Sequence, residues 1–155
     1  MKKPIFWETA KKDLIKKDKT LGKIIQNYPS DFLFTKENPF YTLARSIVGQ
    51  QISVSAAQAV WDRFEKKIKT VTPKSVKKIH YMKLKSCGLS KQKILYLRSL
   101  SNAFIEKKIQ PSKWASLENE IIINELTQIK GIGRWTAEMF LIFNLCRPDI
   151  FPVDD

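Results

Sequence analysis

Apolar residues recur every three or four positions along most of this chain, a spacing typical of helices that bury one face. The clearest case is the segment NPFYTLARSIVGQ, in which Leu43 and Ile47 are one helical turn apart. Asn38 is a candidate N-cap for this segment, and Pro39 suits the first helical position because the nitrogen there needs no partner. The pattern therefore predicts a helix that begins immediately after Asn38.

Further segments with this spacing follow along the chain: SVSAAQAVWDRF, LSKQKILYLRSLSNAFIEKK and SLENEIIINELTQI. Ser53 or Ser55 is the candidate cap of the first, and RWTAEMFLIFNLC forms the next helix, with Phe140 and Phe143 expected in the core. Alternation typical of strands is weak, and its best instance, FLF near Phe32, is too short for a sheet. The sequence therefore predicts an all-α fold of short helices joined by tight turns.

The charge of the chain is strongly basic and unevenly distributed. There are 28 Lys and Arg against 15 Asp and Glu, a formal net charge of +13. Between Lys66 and Lys108 there are thirteen basic residues and one acid, Glu106, so this segment carries a net charge of +12 (13 − 1). Solvated helical faces usually mix both signs, so the segment favours a polyanionic partner over a plain solvated face. Charge alone does not separate DNA, RNA and an anionic membrane.

Length and cysteine content narrow the class of protein. A chain of 155 residues suits one domain, or two small lobes that share a core. Cys87 and Cys146 are far apart and form no CxxC pair, which argues against a disulfide framework, a zinc ribbon or an iron–sulfur cluster. The N-terminus lacks the apolar core of a signal peptide, and no apolar run reaches the length of a membrane span. We therefore expect a soluble, intracellular protein without a membrane-spanning segment.

The stretch NELTQIKGIGRWTAEMF is typical of a helix, a short turn and a second helix. The first helix is expected to close near Ile129, Gly131 and Gly133 to form a four-residue turn, and Trp135 to begin the second helix. Ile132, between the glycines, can point inward between the two helices. Glycine at both positions permits positive φ and a close approach of the backbone to a ligand. The second helix then begins with unpaired N–H groups at the positive end of its dipole, which suits a phosphate, although a plain helix–helix turn would carry the same glycines.

With its flanking residues, LTQIKGIGRWTA resembles the helix–hairpin–helix of the HhH-GPD superfamily of DNA glycosylases. Three other segments match that family in the same order: ARSIVGQQISVSAAQAVWDRF, GLSKQKILYLRSLS and DIFPVDD. The resemblance covers a helical domain at residues 38–155 with its hairpin at 126–137, and it leaves residues 1–37 as a helical segment of a second lobe. Within the superfamily the chain is most similar to the 3-methyladenine (alkylpurine) DNA glycosylase II type.

The resemblance implies a monofunctional enzyme of base excision repair. Such an enzyme flips an alkylated purine, 3-methyladenine or 7-methylguanine, out of double-stranded DNA and hydrolyses its N-glycosidic bond. Bifunctional members carry a lysine where this chain has Trp135, and that amine forms a Schiff base with the sugar. Endonuclease III-like members bind an iron–sulfur cluster through four cysteines, which two cysteines cannot supply. The resemblance also implies that the enzyme requires no cofactor, is a monomer and has no membrane partner. It implies a location with the nucleoid in the cytoplasm, or in the nucleus of a eukaryote.

The resemblance assigns the chemistry to three residues. Asp155, twenty positions beyond Trp135, matches the family's catalytic aspartate. Its carboxylate would stabilise the oxocarbenium-like sugar as the base departs, and would help to orient water. Trp135 and Met139, one helical turn later, would line the pocket of the extruded base, where an indole face favours a cationic purine. Without the resemblance, a surface Asp at a turn and two core side chains are the plainer interpretation.

The resemblance also assigns contacts with DNA. Gln50 and Gln51 follow Gly49 at the point where relatives carry the wedge that fills the space left by the extruded nucleotide. An exposed polar turn is the alternative interpretation of these two residues. In the hairpin, the backbone and neighbouring side chains would hold a DNA phosphate. These hairpin residues are Lys130, Gly131, Gly133, Arg134 and Thr136.

The backbone carbonyls of Thr127, Ile129 and Ile132 match positions that hold a monovalent cation in the family's hairpin. A Na⁺ or K⁺ there would reinforce phosphate binding. His80 is the only histidine, so a Ser-His-Asp triad or a multi-histidine metal site has too few ligands. We expect His80 to be exposed or interfacial.

Members of the family continue for several helices beyond the catalytic aspartate, whereas this sequence stops on it. The expectation is either a truncated piece of a longer enzyme or a chain without the terminal lobe. A non-catalytic helix–hairpin–helix module that binds DNA is the alternative function, and a basic interaction domain unrelated to DNA is a third. The sequence does not rank alkylated bases against deaminated ones such as hypoxanthine.

Overall fold

Helices form all the regular structure of the described residues, 3–36 and 38–153 of a computed structural model, and no strand occurs among them. The predicted all-α fold is therefore confirmed. The helices are α1 (Trp7–Lys17), α2 (Lys19–Asn27), α3 (Pro39–Gly49), α4 (Val54–Ile68), α5 (Pro73–Lys78), α6 (Tyr81–Lys85), α7 (Lys91–Ile105), the 3₁₀ helix Pro111–Ser116, α8 (Asn119–Thr127) and α9 (Arg134–Phe143).

The predicted caps set the start of two central helices. The side chain of Asn38 accepts a hydrogen bond from the backbone nitrogen of Tyr41 at 3.0 Å, and α3 begins with proline, as predicted. Ser53, rather than Ser55, caps α4, because its hydroxyl accepts from the Ala56 nitrogen at 3.3 Å. Each cap satisfies a helix N–H group that has no partner within the helix.

The core forms around α3, which packs against α4, α7 and α9, while α5 covers α7 and α8 packs against α9. Phe140 is buried as predicted, but Phe143 is 48% exposed, so its predicted place in the core is wrong. At 100° per residue, position 143 lies about 110° from the centre of the buried face of α9, and the helix ends there. The largest fully buried side chains include Trp61, Trp114, Phe64, Leu43, Ile47, Leu97 and Leu126.

The first two helices pack against each other but bury little of their own apolar surface. No residue of α1 is buried, and Gly22 is the buried residue of α2. Leu14, Leu21 and Ile24 remain between 40% and 49% exposed. The domain boundary at residue 37 stays a prediction.

Within the described ranges, no helix combines the length and the apolar character that a membrane crossing requires.

Candidate functional site

Gly131 is the glycine whose backbone conformation the hairpin (residues 126–137) requires. α8 ends at Thr127 and α9 begins at Arg134, so the connection has six residues rather than the predicted four. Gly131 has φ +95°, and a Cβ built there would lie 2.2 Å from Cγ of Tyr96 on α7. Any other residue at this position would be strained and would collide with the tyrosine ring.

Gly133 serves the hairpin in a different way. Its φ of −87° and ψ of 172° are extended backbone that any residue can adopt, so this glycine does not use the positive φ that its lack of a side chain permits. A Cβ at Gly133 would meet no described heavy atom within 4 Å, and α9 has no side-chain cap. Because glycine carries no side chain, position 133 leaves room for a ligand at the start of α9.

The turn between the glycines is anchored to the core and to α7. Ile132 is only 4% exposed, as the sequence predicts for a side chain that points between the two helices. Its backbone nitrogen donates to the carbonyl of Ile129 at 3.0 Å. The backbone nitrogen of Lys130 donates to the hydroxyl of Ser99 on α7 at 3.3 Å. The side chain of Lys130 is exposed beside this anchored turn.

A cleft of about 820 Å³ lies between the hairpin, the wedge turn (residues 49–53, between α3 and α4) and the N-terminal half of α7. It collects ten residues that the sequence assigns to the site, although they come from two distant parts of the chain. These ten are Gln50, Gln51, Thr127, Ile129, Lys130, Gly131, Ile132, Gly133, Trp135 and Thr136.

Three of the predicted site residues are not placed in the cleft. Met139 is half-buried one turn further along α9 from Trp135, and it does not line the cleft. Arg134 is absent from the lining as well, because its side chain is bonded to carboxylates beside α8. Asp155 lies outside the described residues, as does its neighbour Asp154.

The wedge turn is connected directly to the hairpin. The side-chain nitrogen of Gln50 donates to the carbonyl of Gly131 at 2.9 Å, across 81 positions of sequence. Gln51, next along the chain, is exposed and has φ +57°, a left-handed conformation uncommon for a residue other than glycine. One glutamine therefore fixes the turn to the hairpin, while the other is presented at the edge of the cleft.

The sequence analysis missed the contribution of α7 to the cleft. Nζ of Lys93 donates to the carbonyl of Val48 at 2.7 Å, just before the wedge turn, and burial lowers the pKa of this lysine. Tyr96, one turn later, lines the cleft beside Gly131. Ser90 caps α7 through its hydroxyl. The start of this helix at SKQK could therefore be predicted from the sequence, but the direction of its side chains could not. The other lining residues that were missed are Ser46, Gln92 and Gln128.

The charge of the cleft has one sign. Lys93 and Lys130 line it, and its described lining contains no Asp or Glu. The wall also carries Trp135, whose side chain is large and apolar and is 45% exposed. A groove lined by cations, amide side chains and an open helix N-terminus attracts polyanions, and an aromatic face offers a surface for a base.

Arg134 is held by two carboxylates on the side away from the cleft lining. Its Nη1 and Nη2 donate to the two carboxylate oxygens of Glu120 on α8 at 3.1 and 2.5 Å. Its Nε is 2.9 Å from the carboxylate of Glu138, one turn along α9. The bond to Arg134 holds the pKa of the Glu120 carboxyl below its usual value, and the same bond raises the pKa of Arg134.

The described residues show no group of three His, Cys, Asp or Glu side chains that could hold a metal ion. Cys87 and Cys146 are both free and buried, which raises the pKa of each thiol. His80 is exposed, as predicted, and its Nδ1 accepts from the Met82 backbone nitrogen at 3.2 Å. His80 is the one histidine of the sequence and does not line the cleft, so it is not placed to act there.

A model of a known family of repair proteins matches most of this chain, and the match includes the hairpin. The family model for the HhH-GPD superfamily base excision DNA repair protein matches residues 44–155. This chain belongs to the HhH-GPD superfamily. The match confirms the resemblance inferred from the hairpin and its three flanking segments.

Individual HhH-GPD relatives are similar over most of the present chain. DNA-3-methyladenine glycosylase 1 of Schizosaccharomyces pombe is 39% identical over 141 residues, covering 88% of this chain and 62% of the relative. DNA-3-methyladenine glycosylase of Saccharomyces cerevisiae is 34% identical over 161 residues, covering 92% of this chain and 54% of the relative. The chain therefore spans about half to two thirds of the length of these relatives.

The fold agrees with a solved HhH-GPD enzyme. The structure of the Schizosaccharomyces pombe 3-methyladenine DNA glycosylase in complex with abasic DNA superposes with a TM-score of 0.79 at 35% identity. The superposition covers 95% of this chain and 75% of that one. The helices that form the cleft therefore belong to a scaffold that this relative uses with DNA bound.

Proposed function

We propose that this protein is a monofunctional DNA glycosylase that removes alkylated purines, with 3-methyladenine and 7-methylguanine as its substrates. The observation that carries the proposal is the cleft, in which an open helix N-terminus, two lysines and the face of Trp135 converge and no described carboxylate lines the wall. The names of the two yeast relatives and the abasic-DNA complex of one of them support it. The proposed place of action is chromosomal DNA, in a nucleoid or a nucleus.

The proposed grip on DNA combines the hairpin and the wedge turn. The first N–H groups of α9, left open by Gly133, bind a backbone phosphate, and the exposed Lys130 adds a positive charge. Gln51 fills the space in the duplex that the extruded nucleotide leaves. Gln50 holds this wedge at a fixed distance from the phosphate site, because it bonds to the carbonyl of Gly131.

A monovalent cation in the hairpin would strengthen this grip. The carbonyl of Ile129 accepts the backbone N–H of Ile132, but no backbone hydrogen bond to the carbonyls of Thr127 and Ile132 is present among the described residues. Carbonyl oxygens are suitable ligands for Na⁺ or K⁺, so these residues fit the cation that the family resemblance implies. A bound cation would add positive charge at the phosphate site.

The proposed chemistry is hydrolysis without a covalent enzyme intermediate. An alkylated purine is cationic, so the base departs with the electron pair of the N-glycosidic bond, and water then adds to C1′ of the sugar and loses a proton. Asp155 is the proposed carboxylate that stabilises the positive sugar and orients the water. Trp135 has no amine, so it cannot form the Schiff base that leads to strand cleavage. Its indole face instead favours the cationic base, with Met139 as a second proposed pocket residue.

Release of free base from methylated duplex DNA tests the proposal. We expect 3-methyladenine and 7-methylguanine to be released without strand nicking, and the Asp155→Asn variant to lose this activity by several orders of magnitude. Asp154→Asn is the matched control, since it removes the neighbouring carboxylate and should retain release. Duplex binding without base release would instead support a non-catalytic helix–hairpin–helix module. Equal release by Asp155→Asn and the parent would reject the catalytic assignment.

A further inference from the structure

The side chain of Arg134 joins two helices rather than extending toward the cleft. Three of its nitrogens are engaged: Nη1 and Nη2 by Glu120, near the start of α8, and Nε by Glu138, on α9 itself. A guanidinium that meets both oxygens of one carboxylate has a defined orientation, because the two hydrogen bonds are parallel and coplanar. We call Glu120, Arg134 and Glu138 the guanidinium clamp.

The charge of the guanidinium clamp does not suit a phosphate. Two carboxylates and one guanidinium sum to a formal charge of −1, and neither carboxylate lines the cleft. The side chain of Glu138 is 7% exposed, so its carboxylate depends on Arg134, with which it forms its ion pair among the described residues. A buried carboxylate that loses its partner is strongly destabilising. The Arg134 side chain is 49% exposed, but the hydrogen bonds of its guanidinium go to carboxylates of the protein.

The guanidinium clamp lies near the segment Asp149–Phe151 as well as at the start of α9. Arg134 is the first residue of α9, directly before Trp135. The clamp residues also line a second, smaller cleft with the segment Asp149–Phe151, and Nδ2 of Asn119 donates to the carbonyl of Asp149 at 3.5 Å. The guanidinium clamp thus joins α8 to the start of α9, and it faces residues 149–151 across this second cleft.

We propose that Arg134 is a positioning residue: it fixes the start of α9, and with it Trp135, against α8, and it makes no contact with a DNA phosphate. This role deepens the proposed glycosylase function and rests on it. It differs from the prediction made from sequence, which placed Arg134 among the DNA-binding residues because it follows the hairpin glycines. Positioning of this kind acts on the rate of base release, because small displacements of a site reduce catalysis more than binding.

Arg134→Lys is the central test, since it keeps the positive charge but cannot bridge two carboxylates. A phosphate contact would largely survive this change, whereas the guanidinium clamp would not. We expect base release at saturating DNA to fall about 10- to 100-fold. We expect the slope of log K against log salt for duplex binding to remain that of the parent. Lys130→Ala is the matched control, and its slope should fall by about 0.9 because one phosphate contact is lost.

Glu120→Gln provides a second test that leaves the buried Glu138 paired. It should reduce base release in the same direction as Arg134→Lys, and the double variant should lose less than the product of the two single effects. The proposal is overturned if the single effects multiply. It is overturned equally if Arg134→Ala, or Arg134→Ala combined with Glu138→Gln to preserve folding, lowers the salt slope by about 0.9 without changing the rate.

Failure of the proposed function is separable from failure of this inference. If the parent chain releases no base, the glycosylase assignment fails. The salt slopes and the midpoints of thermal unfolding of the same variants still decide the role of Arg134. Coupled losses of thermal stability in Arg134→Lys and Glu120→Gln with unchanged salt slopes would support positioning. A lowered slope without coupling would contradict it.

Discussion

The ring of Tyr96 occupies the space that a side chain at Gly131 would need, since a Cβ there would lie 2.2 Å from Cγ of Tyr96. The hairpin turn therefore rests on the surface of α7, and the bond from the Lys130 nitrogen to Ser99 holds it there. The carbonyl of Gly131 in turn receives the side chain of Gln50. One glycine thus determines how three separate elements meet at the cleft.

Gly131→Ala should destabilise the protein, whereas Gly133→Ala should not. The first change imposes a left-handed φ on alanine and a collision with Tyr96, which together cost about 1–3 kcal/mol or more. The second places a methyl group in open space with ordinary backbone angles, so the free energy of unfolding should change by less than about 1 kcal/mol. Urea denaturation of both variants measures the difference. Equal destabilisation would contradict the assigned backbone geometries.

Gly133→Ala should affect DNA affinity more than it affects stability. A methyl group at position 133 would stand at the start of α9, where the phosphate is proposed to bind. Gly133→Ala should therefore weaken duplex binding while its unfolding curve stays close to that of the parent. Unchanged affinity would place the DNA backbone elsewhere.

Gln50→Ala should uncouple the wedge turn from the hairpin. Loss of the 2.9 Å bond to Gly131 is expected to cost about 0.5–1.5 kcal/mol of stability, and to slow base release by allowing the wedge to move. Gln51→Ala is the matched control for stability, because its side chain is exposed and its loss should change unfolding by about 0.5 kcal/mol at most. Thermal unfolding distinguishes the two variants, and single-turnover base release measures the effect of Gln50→Ala on the rate. A larger stability loss in Gln51→Ala would reverse the assignment.

Trp135→Leu should reduce discrimination in favour of cationic bases. Cation–π attraction of about 1–2 kcal/mol corresponds to a loss of roughly 5- to 30-fold in kcat/KM for 7-methylguanine. The neutral base hypoxanthine should lose less, because an uncharged ring gains no such attraction. The ratio of the two kcat/KM values in parent and variant is the measurement. An equal loss for both bases would indicate that the indole acts by shape alone.

Acid should weaken the link between Glu120 and Arg134. Because that bond lowers the pKa of Glu120 in the folded protein below the ordinary value of 4.5, the unfolded chain binds this proton more readily. The stabilisation is therefore fully present above pH 4.5 and is lost as the pH falls through the lower, folded pKa. The difference in Tm between the parent and Glu120→Gln should shrink below pH 4.5. A difference that grows on acidification would contradict this sign.

Local features of this protein were predictable because their causes lie within a few residues. The Asn38 cap, the buried Ile132 and the positive φ of Gly131 each follow from a hydrogen bond, a helical period or a backbone preference that operates within about one turn. Helical periodicity does not fix the last residue of a helix, and the predicted end of α8 near Ile129 lies two residues beyond its observed end at Thr127.

By itself, the sequence determined the helices, the basic character, the glycine hairpin and the superfamily. Only the tertiary structure decided that Arg134 turns to Glu120 and Glu138, that Phe143 stays exposed, and that Lys93 and Tyr96 of α7 complete the cleft. The physical reason is that a side chain on a helix surface takes its direction from the groups packed against it. Those groups lie far along the chain, so helical periodicity cannot identify them.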